Sequence, residues 1–121
     1  MTRRTIDVNI TGLNELISEL NGMVDATAIA DVDGITEAYA RKMAEESAAL
    51  APIDLGGLKG SIASSPQEAD DDVHVWEWGS NLPYATRMEY EHPTRKGFVR
   101  KAVWNNRAKY RDAIKRRLRR S

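Results

Sequence analysis

Ile6, Val8 and Ile10 alternate with Asp7 and Asn9, the two-residue period of a strand with one buried face, and Thr11-Gly12 breaks the run. Beyond the break the period lengthens. Leu13, Leu16, Ile17, Leu20 and Val24 recur at helical spacing, which predicts an amphipathic helix from Leu13 to the mid-twenties. Asp31-Val32-Asp33-Gly34 predicts a polar interruption, with Asp33 capping a second helix from Gly34 to Leu50. That helix carries Ile35, Tyr39 and Met43 among many alanines, which favour helix and let a neighbouring element pack close. Pro52 disfavours helical geometry at Ala51 and ends it.

The stretch from Ala51 to Ile62, APIDLGGLKGSI, pairs a stiff stop with a permissive turn. Pro52, Gly56 and Gly57 predict a structural corner, with Gly56 or Gly57 at positive φ, leading into a strand near residues 58–64. Ser64 to Gln67 predicts a turn, and Glu68 to Asp72 an acidic hairpin tip containing Asp70, Asp71 and Asp72. A strand follows near residues 72–78, placing His74, Trp76 and Trp78 on one face and Val73 and Val75 on the other, with cover expected on both. Pro83 opens a short helix from Tyr84 to about Tyr90. A loop from His92 to Gly97 leads into a last helix, Phe98 to Leu118, whose apolar stripe includes Val99, Val103, Tyr110 and Ile114. Arg100, Trp104, Arg111 and Lys115 share a different face of it. Together these elements predict one α+β domain over residues 1–121. Its small, mainly antiparallel sheet has strands near 4–10, 58–64 and 72–78, with long helices packed on it and a basic amphipathic helix at the C-terminal end.

Charge changes this picture more than composition does. Residues 1–91 hold 6 Lys/Arg against 17 Asp/Glu, a net of −11; residues 92–121 hold 12 Lys/Arg against Asp112 alone, a net of +11. Three readings fit the split: a basic helix lying over its own acidic body, a nucleic-acid contact, or a head-to-tail contact between neighbouring copies. With no cysteine, disulfides and thiolate metal sites are excluded. The apolar runs are too short to span a bilayer, and the N-terminal residues lack the apolar segment of a secretory signal, so a soluble protein made in the cytoplasm is expected.

Catalytic constellations do not assemble. His74 and Glu77, three apart on a strand, point to opposite faces. Glu89, Glu91 and His92 offer one histidine and no thiolate, a poor metal set. The serines have no paired base, and Gly56 to Gly60 lacks the Lys-Ser/Thr ending of a phosphate-binding loop. A non-enzyme without cofactor or metal is therefore expected. Trp104 is more informative. Lying among arginines outside the apolar stripe, it either covers the body of its own subunit or anchors an interface, where Trp and Arg are enriched. The same helix could neutralise phosphates and stack bases through Trp104 and Tyr110, although one of its faces is committed to packing.

An ordered set of short motifs runs along nearly the whole chain: Gly12-Leu13, Ala51-Pro52, Gly57-Leu58, Ser61-Ile62, Tyr84-Ala85 with Glu89, and Phe98-Val99-Arg100 with Ala102. In this order they resemble the small tail-component proteins of long-tailed bacteriophages, associated with tail completion and head–tail joining at the neck. Two departures stand out: Gly97 occupies a position where the family often has proline, and Tyr90 replaces the usual glycine after the short helix. The resemblance implies a structural virion protein of the neck that completes the tail end and joins it to the DNA-filled head. It implies a ring of identical subunits, a hexamer being favoured. Other neck, tail-terminator or tail-tube proteins would be its partners, and DNA would pass through without sequence-specific binding. A tail-terminator ring capping the tail tube is the nearest alternative. A DNA-binding accessory protein using the basic helix is the alternative from another class. For the interface, the candidate residues are Arg100, Trp104, Arg111 and Lys115, with Asp70, Asp71 and Asp72 as the complementary patch.

Overall fold

The computed structural model describes residues 6–12, 26–52, 56–69 and 72–119. In chain order the elements are β1 (Ile6–Thr11), α1 (Ala26–Leu50), α2 (Gly56–Ala63), β2 (Gln67–Ala69), β3 (Asp72–Ser80), α3 (Ala85–Glu91) and α4 (Phe98–Arg119). The fold is α+β. Its three strands form an antiparallel sheet in the order β1-β3-β2, with Val8 opposite Trp78 and Ile10 opposite Trp76. The helix expected from Leu13 to the mid-twenties lies outside the described residues.

α1 runs without a break through Asp31-Val32-Asp33-Gly34, which corrects the expected interruption. Each residue of that run has a reason to be helical. Val32 is fully buried, Asp31 and Asp33 reach Arg117 and His74, and Gly34 lies on an open face where nothing crowds it. Burial of one side outweighs the roughly 1 kcal/mol that a helical glycine costs. The inner stripe runs through Ala28, Val32, Thr36, Ala40, Met43 and Ser47, and its alanines bring neighbouring elements close.

The second correction concerns residues 58–64. They are not a strand; Gly56–Ala63 is helix α2. Leu58 and Ile62, four residues apart, are both fully buried while Gly60 between them is exposed, which fits a helix face; on a strand Gly60 would share their side. The hydroxyls of Ser61 and Ser64 fold back onto the carbonyls of Leu58 and Gly60. Gly56 and Gly57 accordingly lie in the first turn of a helix, so the expected positive φ falls away. A side chain at Gly57 would crowd the Tyr84 hydroxyl, 3.3 Å from a β-carbon there. Pro52 does stop α1 and is buried. The third strand of the sheet is β2, not the segment after the glycines.

The core lies between α1, α2, β3 and the start of α4. Trp78, Phe98, Met43, Leu58 and Ile62 are among its largest buried side chains. Trp76 and Trp78 point into it, with the Arg41 guanidinium 5.3 Å from the Trp76 ring. On the opposite face of β3, Val75 and Glu77 are only half-buried. α4 packs antiparallel on α1: Asn105 donates to Glu46 (2.9 Å), Tyr110 meets Thr36 (2.8 Å) and Arg117 meets Asp31 (2.5 Å). Thr36 gives its one proton to the Val32 carbonyl (2.9 Å), so the Tyr110 hydroxyl is the donor in their shared bond.

Gly12 fits the space between these helices. A β-carbon there would lie 2.9 Å from Thr36 Oγ1, 3.0 Å from Tyr110 Oη, and closer still to Val32 Cγ1. Only a residue without a side chain lets β1 end against α1 and α4 in this way.

Candidate partner interface

The start of α4 is built by Glu89, which lies on α3 and is 2 % exposed. Its carboxylate accepts the backbone N–H of Val99 (2.9 Å) and Arg100 (3.1 Å), two of the amides that a helix leaves unsatisfied at its first turn. A carboxylate at this end also complements the helix dipole. The Arg100 side chain closes the arrangement: Nε donates to Glu89 Oε2 (3.0 Å) and a terminal nitrogen to the Glu89 carbonyl (3.3 Å). Gly97 makes the turn between the helices at φ 80°, its N–H donating to the same carbonyl at 2.7 Å. Proline could neither adopt that φ nor donate that bond. The loop therefore takes a course that a proline at this position would forbid.

Arg100 is thereby fixed in place, and its guanidinium lies 4.8 Å from the centre of the Tyr90 ring. One turn further along α4 is Trp104. Tyr90 is 58 % exposed and Trp104 is 76 % exposed. Trp104 does not cover its own subunit. It stands beside an open groove of about 440 Å³ whose walls include Lys96, Gly97, Arg100, Lys101 and Asn105.

Of the expected interface residues, Arg100 and Trp104 come together in this platform. Arg111 and Lys115 lie two and three turns further along α4, exposed. Asp70 and Asp71 lie outside the described residues, and Asp72 opens β3. Glu68 is exposed on β2 and makes no ion pair with α4. The internal reading of the charge split is met by Arg100 with Glu89 and Arg117 with Asp31. Among the described residues, Arg107, Lys109, Arg111, Lys115, Arg116 and Arg119 have no ion-pair partner.

Sequence reasoning missed Tyr90 as a member of the platform. The sequence carries one signal, an aromatic ring next to Glu89 on the short helix and ten residues before Arg100.

The other candidate groups have structural roles. His74 Nδ1 contacts Asp33 at 2.8 Å, tying β3 to α1, whereas Glu77 on the opposite face accepts from Gln67 (3.0 Å). His92 Nδ1 accepts the N–H groups of Thr94 and Arg95 (3.3 and 2.9 Å). Arg95 in turn reaches the last two carbonyls of α1, Ala49 and Leu50, and that of Ala51 just beyond it, at 3.4 to 3.5 Å. Glu91 pairs with Arg87, turned away from the buried Glu89. No group of three His, Cys, Asp or Glu among the described residues could hold a metal ion. A second groove, about 340 Å³ between β1 and α4, has apolar walls including Val8, Ile10, Met43 and Ile114, with Arg107 and Arg111 as charged groups. Among the described residues, no helix is long and apolar enough to cross a membrane.

Comparison with protein-family models, with curated proteins and with solved structures found no match to this chain.

Proposed function

We propose that this chain is a structural, non-catalytic virion protein of a bacteriophage neck. In this reading it completes the tail end and joins it to the filled head as a ring of identical subunits, hexameric by the resemblance. The observation that carries the proposal is Trp104, exposed beside an Arg100 that Glu89 and Tyr90 hold still. A tryptophan with this exposure has apolar area that a partner would remove from water, and a pre-positioned arginine beside it loses little entropy on binding. Head-to-tail association places such a patch against a different patch on the next copy, and a closed ring results when the rotation between copies closes.

The motif set supports the reading in a second way. Ala51, Leu58, Ile62, Ala85, Phe98 and Ala102 are all buried in one core, and Glu89 builds the start of α4. Residues that resemble the family's pattern are those that hold the fold together, as a shared fold requires.

Light scattering coupled to size-exclusion chromatography, alone and with neighbouring neck proteins, tests the proposal. A ring-sized species that Trp104→Ala dissolves is the expected result. A wild-type protein that stays monomeric with every neck and tail partner, or a ring indifferent to Trp104, overturns it.

A further inference from the structure

Past Trp104 the exposed side of α4 changes character. Arg107, Lys109, Arg111, Lys115, Arg116 and Arg119 all face solvent, with Asp112 as the one acid among them. At 1.5 Å per residue, the twelve steps from Arg107 to Arg119 extend over about 18 Å. Two ordinary explanations of such a face fall short. Cations in the final turn complement the helix dipole, which accounts for Arg116 and Arg119 but not for Arg107, Lys109 or Arg111, two to three turns earlier. Pairing with the acidic body accounts for Arg117 alone on this part of the helix, because its neighbours on the outer arc have no ion-pair partner.

We infer that this arc is a contact surface for the phosphate backbone of duplex DNA, independent of base sequence. Its chemistry fits phosphates better than protein. Protein interface cores take up arginine but are depleted of lysine and rich in aromatic groups, whereas the solvent-facing side past Trp104 carries six cations, one acid and no exposed aromatic ring. A duplex presents a phosphate charge about every 1.7 Å along its axis, so the roughly 18 Å line of Arg107, Arg111, Lys115 and Arg119, each four residues from the next, can meet several. No polar fork is fixed by neighbours on the arc, unlike Arg100, so the side chains can follow a backbone but cannot read bases. The arc continues the face that carries Arg100 and Trp104 but begins about one turn beyond them, and the inference stands whether or not the chain forms a ring.

The test is fluorescence anisotropy with two labelled 20-base-pair duplexes of unrelated sequence, titrated from 50 to 200 mM salt. Equal affinity for both is expected. With about four phosphates neutralised, affinity should fall on the order of a hundredfold across that salt range. Arg111→Glu with Lys115→Glu should weaken binding more than tenfold and flatten the salt dependence. The milder Lys115→Gln with Arg116→Gln should weaken it less, and thermal melts check that both variants fold. Trp104→Ala should leave duplex binding intact while impairing self-association, so the two readings fail separately. Absence of binding at 50 mM salt overturns the inference, and so does binding that survives the charge reversals. Reversals that abolish self-association and leave duplex binding unchanged also overturn it, and make the arc a protein contact.

Discussion

The two ends of α4 use the same residue type in opposite ways. At its start, Arg100 is paired with a buried carboxylate, hydrogen-bonded to a carbonyl and stacked on an aromatic ring. Along its outer arc, Arg107 and Arg111 are exposed and without an ion pair. The corner arginine is part of the fold, and the arc arginines are available to something else. A charge total of +11 over the last thirty residues cannot distinguish these roles. What distinguishes them is whether a carboxylate buried by the fold faces the cation.

The sharpest way to break the contrast is at Glu89. Glu89→Ala strands two helix-start amides and removes the partner of Arg100, and should cost about 3 kcal/mol. For a domain of this size that is a fall in Tm of roughly 10 °C, readable by calorimetry. Glu89→Gln, which retains one acceptor oxygen, should cost about half as much. Gly12→Ala comes next. The added methyl meets Val32, Thr36 and Tyr110, and overpacking of this kind costs about 1–3 kcal/mol by denaturant titration.

Gly34→Ala should act in the other direction. This helical glycine has open space around it, so alanine should stabilise by roughly 0.5–1 kcal/mol without touching any contact. The smallest effects on folding are expected on the outer side. Trp104→Ala and Arg111→Ala should each stay within about 0.5 kcal/mol of the parent in urea melts. Their assembly should differ even so, with Trp104→Ala weakening it more, since single exposed charges contribute only about 0–1 kcal/mol. A Trp104→Ala protein that unfolds several degrees early would show that the ring belongs to the fold after all.

Much of this architecture was legible in the sequence. The alternation of Ile6, Val8 and Ile10, the aromatic run to Trp78 and the stop at Pro52 each have one physical reading, and α3 and α4 begin within a residue of their predicted starts. The misreadings share a cause. At Asp31 to Gly34 and at Gly56 to Ile62, local signals of polar residues and glycines spoke against helix, and tertiary burial of Val32, Leu58 and Ile62 outweighed them. The candidate platform was half legible. Trp104 could be singled out as lying off the apolar stripe, but whether it was covered depends on elements far away in the chain. Tyr90 joins it only because Glu89 orients Arg100 from a different helix.

The antiparallel docking of α4 on α1 also constrains how the protein is made. Thr36 meets Tyr110 and Asp31 meets Arg117, so 74 and 86 residues separate the partners. During synthesis, α1 emerges from the ribosome long before the helix that buries Val32 and Thr36 exists. Throughout that interval the inner face around Ala28 and Val32 is open to water and to other nascent chains. Residues 56–91 can gather around β3 meanwhile, because their contacts are closer in sequence. The N-terminal half of α1 must wait for α4. A chaperone that binds short apolar segments would therefore find its target at Ala28 and Val32, and should release it only once Ile114 has been translated and docked.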